Sequence, residues 1–247
     1  MRDNPLKTLL LRIRQVQPAR LTALLGGWFL FLLICQLGGL VSQYGFGHDF
    51  LLGLVPLFDF DREFNAPSIF SVGLLLLATG LLAVIAAERR RVAGGGSLYW
   101  LGLSGVFLFV SMDELLSFHE MMIEPIRQML GVGGVLYFAW VIPYGIGVLF
   151  LGVLYGVFLF RLPRSVRNLM LLSAVVFLGG ALGVEMAGAW YMDQYLVRQD
   201  QHRDLIYALI TTCEESLEMI GVILFIRALH VYISTHLSGA QVHGIPE

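Results

Sequence analysis

Six runs of apolar residues recur along the chain with short polar joints between them, and each is long enough to cross about 30 Å of hydrocarbon at 1.5 Å per residue. They cover roughly 21–43, 68–87, 98–118, 135–160, 168–191 and 206–230. The joints carry matching punctuation. Asn65 and Pro67 start the second run, Glu88 to Gly96 (ERRRVAGGG) parts it from the third, and Arg161 to Arg167 (RLPRSVR) parts the fourth from the fifth. The pattern predicts an all-α, polytopic helix bundle of about six transmembrane helices. Two shorter pieces flank the first run. Pro5 to Val16 interleaves leucines with Lys7, Arg12 and Arg14 and predicts a short interfacial helix on the inner surface. Phe50 to Phe58, inside the loop Tyr44 to Ala66, is too short to cross and predicts an outer interfacial or re-entrant half-helix. The run from Leu21 to about Gln43 is too long for a signal-peptide core and has no A-x-A-like cleavage site after it, so it reads as a retained span. The chain thus divides into an interfacial segment, 1–20, a six-helix transmembrane domain, 21–233, and a tail, 234–247.

Charge fixes the orientation. With the N-terminus inside, twelve of the sixteen basic residues are cytoplasmic, leaving only Arg62, Arg127, Arg198 and Arg203 outside. Both termini are therefore placed in the cytoplasm. The acids show the opposite bias: only Asp3, Glu88 and Glu247 fall inside, and the other fifteen lie in outer loops or in the outer or middle parts of the spans. A 57% hydrophobic composition agrees with the bilayer as solvent, and 14% charged residues with a net charge of -2 leave no basic surface for nucleic acid. Cys35 and Cys213 both sit in apolar runs and form no C-x-x-C motif.

The chemistry resides in acids placed where acids are expensive. Asp113, Glu114 and Glu120 close the third run, Glu185 sits in the fifth, and Glu214, Glu215 and Glu218 sit in the sixth. At about 2.5–3.5 kcal/mol for each mid-bilayer charge, seven unpaired carboxylates would cost on the order of 20 kcal/mol, beyond a typical net stability of about 5–15 kcal/mol. Protonation, a water-filled cavity or bound cations can relieve that cost. All three groups fall in one outer slab, and Glu214, Glu215 and Glu218 share a helix face at i,i+3 and i,i+4. Asp113, Ser117, Glu120 and Glu124 form one stripe, with Glu114 and His119 flanking it about 140° apart. Both flanking residues reach one centre only if the helix is bulged or broken near Ser117.

The donor set is oxygen-rich, which suits Fe or Mn (and Mg or Ca) better than Zn or Cu. It differs from the E-x-x-H pattern of di-iron bundles in having E-x-x-E at Glu215 and Glu218 and a single nearby histidine. Glu114, His119, Glu120, Glu185, Glu215 and Glu218 are the candidate ligands of a divalent metal, and Asp113 and Glu214 the candidate catalytic or proton-handling groups. Glu185 taken alone reads equally as a protonated acid bonded to a neighbouring helix, and His119 equally as an interfacial residue at a helix end. Glu124 reads as solvated. Trp100, Tyr137, Trp140, Trp190 and Tyr191 lie near span ends, as aromatic belts do, and His202, His230, His236 and His243 read as lying in loops or the C-terminal tail without ligand spacing. The glycine pairs Gly152 with Gly156 and Gly179 with Gly183 read as helix-packing positions.

Asp113-Glu114 to His119-Glu120, Gly183 to Met186 and Glu214 to Gly221 resemble the D-E-x4-H-E, G-x-E-M and E-E-x-x-E-M-x-G blocks of an uncharacterised group of bacterial polytopic membrane proteins. The resemblance covers the last three-fifths of the chain, implies a multi-pass protein of the bacterial inner (plasma) membrane, and brings no activity with it. Glu214-Glu215 also matches the E-E pair of intramembrane CAAX-type proteases, but Met219 stands where those enzymes carry arginine. Three functions are expected to compete: a metal-dependent membrane enzyme acting on a lipid or quinone-like substrate, a proton- or divalent-cation-coupled transporter or channel, and an accessory subunit. Membrane lipids are the expected surroundings, with homo-oligomerisation open.

Overall fold

The computed structural model describes residues 5–92, 95–198 and 203–237. Arg2, Asp3, His202, His243 and Glu247, each given a side or a role above, lie outside the described residues. The chain is all-helical there, and six helices are long and apolar enough to cross a membrane: Pro18–Gly45, Ala66–Arg91, Ser97–Leu116, Val141–Phe160, Arg164–Val197 and Leu205–His236. This is a multi-pass membrane protein.

In chain order, α1 (Pro5–Gln15) is the short amphipathic helix expected before the first span. The first span is α2 (Pro18–Leu40), continued by a π-helical turn at Val41–Gly45. The apolar piece of the next loop is a 3₁₀ turn, Leu51–Gly53, leading into one helical turn, α3 (Leu54–Phe58), too short to enter the bilayer as a half-helix. The second span is α4 (Ala66–Arg91). Its start is held by a reciprocal cap: the Asn65 side chain accepts from the Ser68 N–H while the Ser68 hydroxyl accepts from the Asn65 N–H. Asn65 Nδ2 also donates to the carbonyls of Pro56 and Asp59 at 3.2 and 2.6 Å, fastening the loop to the helix.

The third span is α5 (Ser97–Leu116), and α6 (Phe118–Leu130) follows directly. The fourth, α7 (Val141–Phe160), begins six residues later than the apolar run implies, because Gly134–Leu136 is a 3₁₀ turn and the chain straightens into a helix only after Trp140. The fifth span joins α8 (Arg164–Leu178), a π-helical stretch (Gly179–Val184), α9 (Glu185–Tyr191) and a second π-helical stretch (Met192–Val197). The last span, α10 (Leu205–His236), runs past the expected end, so His230 and His236 belong to it rather than to a loop or tail.

Helix α10 is the axis of the bundle, packed by α8, α2 and α4, while α5 packs on α4. Two close backbone approaches to the bundle axis are at glycine. Gly221 lies against the backbone of Phe177, where the Ser173 hydroxyl also donates to the Gly221 carbonyl at 2.8 Å, and Gly180 lies against the backbone of Glu214. None of Gly152, Gly156, Gly179 and Gly183 has another residue's atom within 4 Å of its side-chain position. In the fifth span the reason is the π-helical stretch, which turns Gly180 toward α10 in place of its neighbours. At the arginine-rich end, Trp100, Leu82, Ile85, Ile226, Leu229 and Tyr232 form a fully buried core. Trp100 is therefore a core residue rather than part of an aromatic belt. Helix α1 lies across that end, with Leu10 buried and the Ile13 carbonyl 2.9 Å from His230 Nε2.

Candidate functional site

The helix break required to bring Glu114 and His119 to one centre is present. Ser117 adopts φ 50°, ψ 40°, a left-handed conformation that ends α5 and starts α6 in a new direction. Asp113, buried on the last turn of α5, holds the break. Its Oδ1 accepts from the His119 backbone N–H at 3.0 Å, its Oδ2 lies 3.1 Å from His119 Nδ1, and the Tyr144 hydroxyl of α7 donates to Oδ1 at 2.9 Å. A carboxylate on Nδ1 fixes the ring tautomer and leaves Nε2 as the nitrogen free to meet a ligand. Burial pulls the His119 imidazolium down, but the hydrogen bond and charge of Asp113, with Glu120 and Glu114 adding to them, outweigh it and hold its pKa above the ordinary 6.5.

Around that ring the carboxyls of several elements converge. Glu114 hydrogen-bonds Ser71 of α4 and lies within electrostatic reach of His119. Glu185, at the junction between the π-helical stretch and α9, accepts from Trp140 Nε1 at 2.8 Å. Its carboxyl also lies against that of Glu214, close enough for the two to share a proton. Glu215 and Glu218 face Glu114 and Glu185 from α10. These side chains lie deep in the bundle yet keep part of their surface accessible, so they line a crevice rather than being sealed in protein. Trp140 packs its ring 5.0 Å from His119.

The structure thus brings together Asp113, Glu114, His119, Glu185, Glu214, Glu215 and Glu218. Glu120 is the outlier: it points to solvent from the first turn of α6, within charge range of Glu63 and His119. Glu124 is exposed and paired with Arg127 and Gln128, as expected of a solvated acid.

Three participants carry no signal in the chain pattern. Glu63 comes from the loop before α4, fifty residues upstream of Asp113. Its carboxyl hydrogen-bonds Ser117, and its pKa is raised by desolvation and by the charge of Glu120 against the pull of Ser117 and His119. Trp140 and Tyr144, read above as a belt residue and not singled out, respectively, are the hydrogen-bond donors that position Glu185 and Asp113. Their i,i+4 spacing, which puts an indole and a phenol on one helix face, is the one clue the sequence holds.

The arginines on this side of the protein are engaged elsewhere. Arg62 pairs with Asp59 at 3.1 Å, Arg198 with Asp193 at 3.9 Å, Arg127 with Glu124 and Arg203 with Asp61. Among the described residues, no three His, Cys, Asp or Glu side chains stand at the mutual distances of a ready-made metal site. Glu185 is instead bonded to Trp140, and Glu114 and Glu63 stand beside Ser71 and Ser117.

No curated protein and no solved structure matches this chain. The family described as Domain of unknown function (DUF8692) matches over residues 27–233, a stretch that includes every residue of the site, and the chain belongs to that family.

Proposed function

We propose that the carboxyl cluster is a cation centre, and that the protein is a membrane enzyme in which a divalent metal, Fe or Mn, works on a lipid or quinone-like substrate. One observation carries the reading: six carboxyls of the spans, Glu63 of the preceding loop and one oriented imidazole converge, while all four outer-side arginines pair with acids outside the cluster. The donors fit such an ion in kind, being hard oxygens plus one imidazole nitrogen whose tautomer a carboxylate has set. Glu114, Glu185, Glu215, Glu218 and His119 Nε2 would hold it, drawn inward from their present spacing. When bound, such an ion acts as a Lewis acid or lowers the pKa of water.

The other roles belong to the chain. Asp113 orients His119 and is itself oriented by Tyr144, so its part is positioning. Trp140 holds one oxygen of Glu185, leaving the other to share a proton with Glu214, which makes this pair the proton store of the site.

The Glu185–Glu214 contact also favours a second reading, proton- or cation-coupled transport. Against a through-path, about 10 Å further in along α5 and α10 the rings of Phe107 and Phe225 stack at 4.4 Å. Below them Trp100 and Tyr232 close the bundle, with centroids 4.7 Å apart.

Metal analysis of detergent-purified protein loaded with Fe or Mn tests the proposal. The wild type should retain about one or two ions per chain, as carboxylate centres do, and Glu215→Gln should lose them while still inserting. A wild type that retains neither ion, and whose melting ignores chelators, would overturn it.

A further inference from the structure

A cavity of about 290 Å³ opens between the outer ends of α4 and α5. Its lining is mainly apolar, formed by Phe64, Ile69, Val72 and Leu115, with Glu63, Ser68 and Glu114 as the polar members. Val72 lies about 9 Å along the helix axis from the start of α4, and Ile69 and Leu115, both within spans and both lining the cavity, are exposed, so the cavity opens on the flank that α4 and α5 present to lipid. A second, larger cavity of about 370 Å³, between the outer ends of α2 and α10, has no acid in its lining and does not lead to the cluster.

The backbone at the mouth is arranged for the smaller opening. Phe64 is held at φ 55°, a conformation that bulky side chains rarely adopt, with its ring mostly exposed. Asn65 anchors the next residue through four hydrogen bonds. The reversal at Phe64 turns adjacent side chains opposite ways: the phenyl ring goes to the lipid-facing rim, and the Glu63 carboxyl goes to Ser117 at the helix break.

We infer that this cavity is the lateral entrance through which a substrate reaches the carboxyl cluster from the outer leaflet, and that it admits amphiphiles whose polar end is a hydrogen-bond donor, neutral or cationic. The inference rests on reading the cluster as a catalytic centre and adds the class of molecule it acts on. The two acids of the lining, Glu63 on the loop and Glu114 on α5, repel a phosphate or carboxylate headgroup and accept from an alcohol, a phenol or an amine. Bulk anionic phospholipid is excluded by the same charge, while the apolar walls accommodate a chain segment. Glu114 belongs to both the cavity and the cluster, so a polar end that reaches it has arrived at the site.

The test uses the full chain in nanodiscs and a dodecylamine carrying a chain-terminal diazirine, with crosslinks mapped by mass spectrometry and metal content read on the same samples. Labelling should concentrate on Phe64, Ile69 and Leu115, compete with dodecylamine and dodecanol but not with dodecyl phosphate, and fall by about tenfold or more in Ile69→Trp. Glu63→Gln, which keeps the shape, should abolish the discrimination against the phosphate. Labelling spread evenly over lipid-facing positions such as Leu149 and Val153 of α7 would overturn the entrance, and equal competition by dodecyl phosphate in the wild type would overturn the substrate class. Selective labelling of a protein that holds no metal would leave the entrance standing and sink the metal reading. A metal-loaded protein without selective labelling would do the reverse.

Discussion

The contact of the fifth span with α10 sets the distance between Glu185 and the α10 carboxyls, and two glycines set that contact. A methyl group built on Gly221 would lie 2.7 Å from Phe177 Cβ and 2.8 Å from Phe177 Cα. On Gly180 it would lie 2.8 Å from the Glu214 carbonyl oxygen and 2.9 Å from Leu217 Cβ. Several of these neighbours are backbone and cannot swing aside. To reach an ordinary contact of 3.4 Å, the two helices would have to part by about 0.6 Å in a close-packed interior. Overpacking of this kind costs about 1–3 kcal/mol, and the better helix propensity of alanine returns up to about 1 kcal/mol. Gly221→Ala should therefore destabilise by about 1–2 kcal/mol and lower the melting temperature in detergent by roughly 3–8 °C. Gly180→Ala should do the same and also weaken metal retention, because it moves Glu214 and Glu218 away from Glu185. Gly152→Ala is the control: nothing lies within 4 Å of the added methyl, so melting should stay level or rise. Differential scanning fluorimetry on the three variants decides the matter. A Gly221→Ala protein that melts with the wild type, or a Gly152→Ala protein that falls as far as Gly221→Ala, would refute the packing argument.

Asn65→Ala removes the α4 cap together with two bonds to the preceding loop and should cost about 1–2 kcal/mol, read as a lowered melting temperature, with Ser68→Ala smaller in effect. In chelator-treated protein, NMR titration of His119 should give a pKa above 6.5, and Asp113→Asn should lower it. Since the folded-state value of this histidine is raised, its contribution to stability is complete below 6.5 and is lost as pH rises through the higher folded value, so the pH dependence of melting in that window should flatten in Asp113→Asn. A reporter active only outside the cytoplasm should be active when fused after Gln201 and inactive after Arg164 or at the C-terminus; activity at the C-terminus would sink the six-span orientation.

The spans are legible in the sequence because the signal is local: an apolar run must be about twenty residues long whatever surrounds it. The carboxylates on α5, the fifth span and α10 are legible for a related reason, since an acid in a span is anomalous before any fold is known. Even the break at Ser117 follows from demanding that Glu114 and His119 meet. Glu63 is different. An acid in a polar loop is ordinary, and only the folding of that loop over α4 makes it part of the site. Trp140 and Tyr144 escape notice because aromatic residues at a span end already have a sufficient explanation. The glycine register fails for a third reason: π-helical turns shift the helical phase, so the spacing that identifies Gly179 and Gly183 as packing positions does not survive into the structure, and Gly180 takes the contact.

The bond between the Ile13 carbonyl and His230 joins residues 217 apart in sequence. During synthesis, at about 5–20 residues per second, α1 emerges roughly 10–40 s before the part of α10 that it rests on. Until then its apolar face has only lipid and a small contact with α4 to cover it, and the α10 side of Leu10's buried position does not exist. The amphipathic helix must therefore wait on the membrane surface and dock last, so that its docking reports that the final span has been inserted. A nascent chain stalled before His230 would carry α1 undocked and open to a protease, while one that has passed it would be closed.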